Sequence, residues 1–153
     1  DSLTTYQNME LALPGHQKLF PNLYSQVSAE EDDQILKILE RVGLKDELDV
    51  EARYLSHGQR QWLAISTLIL SSPKLLLVDE PAAGLTDAET ELTAELLLEL
   101  KGDHTLIIIE HDMDFVRRLD SFVTMLHEGR IMAEGTLEEL QQNEEVIEAY
   151  LGR

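Results

Sequence analysis

Two adjacent carboxylates, Asp79 and Glu80, close the run LLLVDE at residues 75–80. The apolar residues before them read as a strand buried on both faces, as in a parallel sheet. The C-terminal edge of such a sheet is where open α/β folds bind ligands. Asp79 there suits a hydrated Mg²⁺, which takes one or two carboxylates and completes its shell with water and phosphate oxygens. Glu80, one residue on and off the strand, is placed to orient or deprotonate an attacking water. Solvated charge after a strand accounts for the same dipeptide equally well. A second group is LSHGQ at residues 55–59, with Ser56 at a helix cap and Gly58 free of a side chain. A helix N-terminus with unsatisfied N–H groups, a hydroxyl and close backbone approach is a phosphate-binding surface. It is also the ordinary way to start a helix. His111 follows the strand-like TLIII of residues 105–109 and is expected to point from the same sheet edge toward Asp79 and Glu80. A lone histidine serves as readily as a structural hydrogen-bonder. His16, His57, His104 and His127 have no comparable setting, and no role is assigned to them.

The elements that must position these groups are readable in outline. Residues 3–13 form a short helix running into Pro14-Gly15, followed by a loop-like stretch with Pro21 and Asn22. Ser28 with Glu31 makes a capping box, Ile35, Ile38, Leu39 and Val42 follow at helical spacing, and Gly43 supplies the stop. A helix from Ser56 through Trp62, Leu63, Ile65 and Ile69 ends before Pro73, which cannot continue it. Thr86 with Glu89 opens another helix that stops at Gly102. Strand, helix and strand over residues 75–109 form a βαβ unit with parallel strands and a right-handed crossover. A helix at Met113–Leu119, a hairpin of residues 122–126 and 130–133 turning at Glu128-Gly129, and a helix capped by Thr136 with Glu139 complete the chain. There is no internal repeat.

The groups gain meaning jointly, because LSHGQ, a helix, a proline break, LLLVDEP and EHD follow in that order at compatible spacings. In this arrangement the chain resembles the ATP-binding subunits of ABC transporters, the segment LSHGQRQWLAISTLILSSPKLLLVDEP matching without gaps the family's run from signature motif through Walker B. The resemblance implies a partial P-loop NTPase (RecA-like) α/β fold. Residues 1–55 match the ABC helical subdomain, and residues 56–153 the signature helix and C-terminal half of the ATPase core, with a helical tail at 136–153. It also implies that Ser56, Gly58 and Gln59 contact the γ-phosphate of ATP held by the opposite subunit. Asp79 matches the Walker B aspartate near Mg²⁺, Glu80 the catalytic glutamate and His111 the switch histidine. Ala83, Gly84, Leu85 and Thr86 fall on the D-loop. Thr86 stands where the family usually has Asp, which puts the usual D-loop hydrogen bonding in doubt, and His57 replaces the more common glycine of the signature. The His variant, AAGLTDAET and VIEAYLGR look like the class importing branched-chain amino acids and urea. On TDAET and EHDMDFV the urea subunit is the nearer resemblance.

Composition sets limits on this reading. The 153 residues fit one domain, and 43% hydrophobic with 27% charged residues is ordinary globular usage. Twelve Lys and Arg against 30 Asp and Glu give a net charge of -18, which opposes nucleic-acid and anionic lipid surfaces. Zero cysteines exclude disulfides and thiolate metal sites. None of the eight glycines is followed by Lys, so no G-x-x-x-x-G-K-[ST] loop is present to cradle β- and γ-phosphates. With no initiator Met, the sequence looks like the C-terminal portion of a longer subunit. The expected function is that of an ATPase subunit energising an importer, inactive as this portion alone. Its partners are permease subunits and a second ATP-binding subunit at the inner face of the bacterial plasma membrane. Self-association through exposed sheet edges is also expected. The alternatives are a non-transport ABC ATPase and a non-catalytic module that docks partner subunits.

Overall fold

A computed structural model describes residues 2–14, 27–102 and 104–151. The chain divides into two compact units, residues 1–109 and 110–153. The first unit opens with α1 (Thr5–Ala12) and α2 (Ala29–Arg41). Thr4 and Gln7 cap α1 reciprocally, and Ser28 and Glu31 do the same for α2. Each box satisfies donors that the first helical turn leaves without partners. Leu13 turns extended at the end of α1, as a residue before proline must. Gly43, at φ 68°, takes the left-handed position after α2. The loop expected around Gly15, Pro21 and Asn22 lies outside the described residues.

Short 3-10 turns at Lys45–Glu47 and Ala52–Tyr54 lead to α3 (His57–Ser71). They pair with the start of α1, where Thr5 N donates to Val50 O (2.9 Å) and Ala52 N to Leu3 O (3.0 Å). Met9, Ile35, Leu39, Leu44, Leu63, Ile65 and Leu96 belong to one buried apolar cluster. Helix α3 packs on both α1 and α2, so the first compact unit runs on beyond residue 55. Burying a Leu or Ile side chain contributes about 1.5–3 kcal/mol, and through Leu55, Leu63 and Ile65 this cluster holds α3 against α1 and α2.

Strand β1 (Leu75–Asp79), α4 (Asp87–Leu100) and β2 (Thr105–Ile109) form the expected βαβ unit. The strands are parallel and in register from Leu75 opposite Thr105 to Asp79 opposite Ile109. Their burial differs from the expectation of two covered faces. Leu76 and Val78 are buried, whereas Leu77 is 69% and Ile109 62% exposed, with Leu75 and Ile107 about half exposed. Successive strand side chains point to opposite faces, and here one face is packed while the other meets solvent.

In the second unit Asp112 caps α5 (Met113–Leu119), accepting from Asp114 N and Phe115 N, and Phe115 is fully buried. Strands β3 (Val123–His127) and β4 (Arg130–Gly135) form an antiparallel hairpin with a register shift at Met125/Leu126. Its turn, Glu128-Gly129, holds both residues at positive φ (47° and 74°), the geometry that matches strand twist in a two-residue hairpin loop. Against the boundaries read from sequence, the first strand is shifted one residue on and the second runs two residues longer. Thr136 and Glu139 cap α6 (Leu137–Gln141), and α7 (Glu144–Leu151) follows.

Candidate functional site

Ser56 stands at the N-cap of α3 with ψ 169°. Its Oγ accepts from Gln59 N (3.2 Å), and its own N–H donates to Gln59 Oε1 (2.9 Å). Two of the three signature residues thus hold each other and present the first turn of α3 in a fixed shape. Gly58 is buried, and the reason lies inside the chain. A Cβ at this position would collide with the Glu89 carboxylate, 2.9 Å from its Cδ, and come within 3.3 Å of Leu85 Cδ2. Gly58 therefore makes room for α4 and the loop before it.

That carboxylate is pinned. Glu89 Oε2 accepts from Thr86 N and from Thr86 Oγ1, both at 2.8 Å, and Thr86 is the N-cap of α4. These bonds to the charged form, first from the backbone and then from the hydroxyl, hold the Glu89 carboxyl below its usual range, and His57 nearby adds to them. Thr86, standing where the resemblance leads one to expect Asp, acts as a helix cap, a role both residues perform. Between β1 and Thr86 lies the loop Pro81–Leu85. Gly84 sits in it at φ 70°, a conformation that favours glycine.

Asp79 and Glu80 are both exposed at the C-terminal end of β1. Glu80 N donates to Ile109 O (2.9 Å), adding one rung past the strand ladder, and Glu80 O accepts from Ala83 N (3.1 Å). Glu80 has φ 46°, in the left-handed region that a non-glycine residue occupies when its surroundings impose it. The turn carries the Glu80 backbone off the end of the sheet. Among the described residues no three His, Cys, Asp or Glu converge to hold a metal. A single strand-end carboxylate such as Asp79 instead fits Mg²⁺ that keeps water and phosphate oxygens as its other ligands.

His111 belongs to the second unit, and its side chain is 72% exposed. Its N–H donates to Glu110 Oε2 (2.9 Å), which also accepts from Asp112 N (3.2 Å). The Glu110 side chain is nearly buried. The bend after β2 is thus shaped by Glu110, a residue the sequence reading passed over. His57, noted in the sequence only as a variant of the signature, also takes part. Its Nε2 lies 3.0 Å from Ala83 O, joining the start of α3 to the loop after Glu80.

The structure brings Ser56, Gly58, Gln59, Gly84, Leu85 and Thr86 into one neighbourhood, where two helix caps and a tight loop meet. Residues 2–83 match the family described as ABC transporter. The chain belongs to that family. Residues 130–153 match a further family, described as branched-chain amino acid ATP-binding cassette transporter. The high-affinity branched-chain amino acid transport ATP-binding protein LivG of Salmonella typhimurium is 35% identical over 161 residues, covering 98% of this chain and 62% of that protein. Its counterpart BraF of Pseudomonas aeruginosa is 37% identical over 116 residues, 74% of this chain and 46% of that protein. Among solved structures, the ADP conformation of MJ1267, an ATP-binding cassette of an ABC transporter, superposes with a TM-score of 0.76 at 28% identity. It covers 99% of this chain and 64% of that one. The fold is accordingly that of a P-loop NTPase in part. The chain spans about three fifths of the length of the relatives it matches along its whole length.

Proposed function

We propose that this chain is part of the ATP-binding subunit of an ABC importer, which hydrolyses ATP to drive a permease. The observation that carries this is the joining of a capped signature helix, Ser56 to Gln59, with the loop that follows Glu80 at the end of β1. In this reading Ser56, Gly58 and Gln59 face the γ-phosphate of ATP on a second ATP-binding subunit, and Gly84, Leu85 and Thr86 lie along the same junction. Glu80 orients the attacking water and accepts its proton, because phosphoryl transfer depends on positioning and charge stabilisation. Asp79 is the residue to hold Mg²⁺, which when bound neutralises charge on the phosphates. His111 is assigned to sense the γ-phosphate.

The imported solute is proposed to be a branched-chain amino acid, on the names of the LivG and BraF relatives and the match at residues 130–153. The segments TDAET and EHDMDFV favour urea as the second reading. No described helix is long and apolar enough to cross a membrane. The proposed place is the inner face of the bacterial plasma membrane, reached through the permease. The helical part, residues 1–55, is the proposed docking element. The test is reconstitution of the longer subunit with its permease in vesicles, measuring ATP hydrolysis together with leucine and urea uptake. ATP-dependent uptake lost in Glu80→Gln supports the reading. Absence of ATP hydrolysis by the longer subunit overturns it.

A further inference from the structure

The bond between His57 and Ala83 crosses 26 residues of chain and joins two segments that the helix caps alone leave separate. The Ala83 carbonyl has no hydrogen to give, so His57 Nε2 carries the proton and donates. The ring also lies along Gly84: a Cβ there would stand 3.5 Å from His57 Cδ2 and 3.6 Å from Nε2. Ala83 is held from both sides, since its N–H donates to Glu80 O at 3.1 Å. One chain of contacts therefore runs from the first residue of α3, through Ala83, to the backbone of the carboxylate held at φ 46°.

Two further links support the junction without replacing this one. Gly58 and Leu85 pack around Glu89, the charged group that faces His57 from α4. Trp62 Nε1 donates to Thr93 Oγ1 (3.1 Å), and Thr93 Oγ1 donates to Glu89 O (2.8 Å). Those contacts join α3 to α4, while the loop reaches α3 both where Leu85 lies at Gly58 and through the His57 ring. A left-handed non-glycine residue persists when its neighbours over-determine it. His57 is one of the groups that does so for Glu80.

We propose that His57 is a positioning residue, tying the Pro81–Thr86 loop to the first turn of α3 so that Ser56 and Glu80 are held in one fixed relation. The lock itself rests on geometry. Its catalytic consequence rests on the ATPase reading above.

The test uses three forms of the 153-residue chain: unaltered, His57→Phe, which keeps a ring but removes the donor, and His57→Gln, which returns an N–H at similar reach. Long-range nitrogen–proton NMR on the unaltered chain is expected to show neutral His57 protonated at Nε2. Amide exchange at Ala83 and Leu85 is expected to quicken about fivefold in His57→Phe, as for loss of one ordinary hydrogen bond, and to return in His57→Gln. A proton on Nδ1 instead, or unchanged exchange in a folded His57→Phe chain, overturns the lock. In the longer subunit, His57→Phe is expected to lower kcat for ATP with KM unchanged, and His57→Gln to restore it. A loss confined to KM refutes the positioning role. An unaltered subunit that hydrolyses no ATP refutes the ATPase reading and leaves the NMR result to decide the lock.

Discussion

Gly58 is the position where two explanations of one glycine part company. Close approach of a phosphate to the backbone requires an empty side-chain position, and so does the neighbouring α4. A methyl group at residue 58 would meet the Glu89 carboxylate, which cannot swing aside without releasing Thr86 N and Thr86 Oγ1. Those bonds are the return half of the capping box, so their loss costs at most what a whole N-cap is worth, about 0.5–2 kcal/mol. Replacing Gly by Ala within a helix returns at most about 1 kcal/mol. The expected net loss for Gly58→Ala is therefore at most about 1 kcal/mol, or a fall in Tm of at most about 2–4 °C in a chain of this size. Urea unfolding followed by circular dichroism reads it directly. The decisive comparison repeats the substitution in a Glu89→Ala background, where the collision is gone and the penalty is expected to vanish or reverse. An equal penalty in both backgrounds refutes the argument that Glu89 explains the glycine.

Three further outcomes are expected. Thr86→Ala removes the cap of α4 and lowers stability by about 1 kcal/mol, whereas Thr86→Asp, measured in the same unfolding experiment, keeps it. Tyr6 Oη donates to Asp32 Oδ1 (2.7 Å), and burial, this bond and the nearby negative charge push the phenol up to about 12 from 10.0. Because the raised value favours the neutral form, this contribution is complete below pH 10 and is lost as pH rises through about 12. Tyr6→Phe is expected to show no such alkaline loss in unfolding scans between those values. Finally, the 153-residue chain alone is expected to release phosphate from ATP no faster than buffer, because its sequence holds no P-loop lysine. Turnover that disappears in Glu80→Gln would overturn that expectation.

The helix starts were legible because a capping box is a local signal, complete within four residues. Ser28 with Glu31, Thr86 with Glu89, and Thr136 with Glu139 each form the reciprocal bonds that their spacing implies. Ser56 was equally legible as a cap, and the structure adds that Gln59 completes its box. The burial of β1 and β2 was not legible. An unbroken apolar run shows that a strand can be covered on both faces, and says nothing of what lies against each face in this chain. His57 was legible as a signature variant, but its contact was not, because its partner is a backbone carbonyl 26 residues away and a carbonyl leaves no mark on sequence. The purpose of Gly58 escaped for a related reason. What it accommodates is one rotamer of Glu89, fixed by a cap that had itself been read correctly.

The open face of the β1–β2 pair bears on how the chain behaves as a colloid. Leu75, Leu77, Ile107 and Ile109 form an oily strip on a molecule whose net charge is -18. In dilute buffer the reach of that charge is expected to keep copies apart. Salt shortens that reach to about 10 Å at 0.1 M, while leaving the attraction between apolar surfaces in place. Ionic strength is thus expected to control self-association: low salt should keep the chains dispersed, and added salt should let the strips meet, as light scattering across a salt series would read.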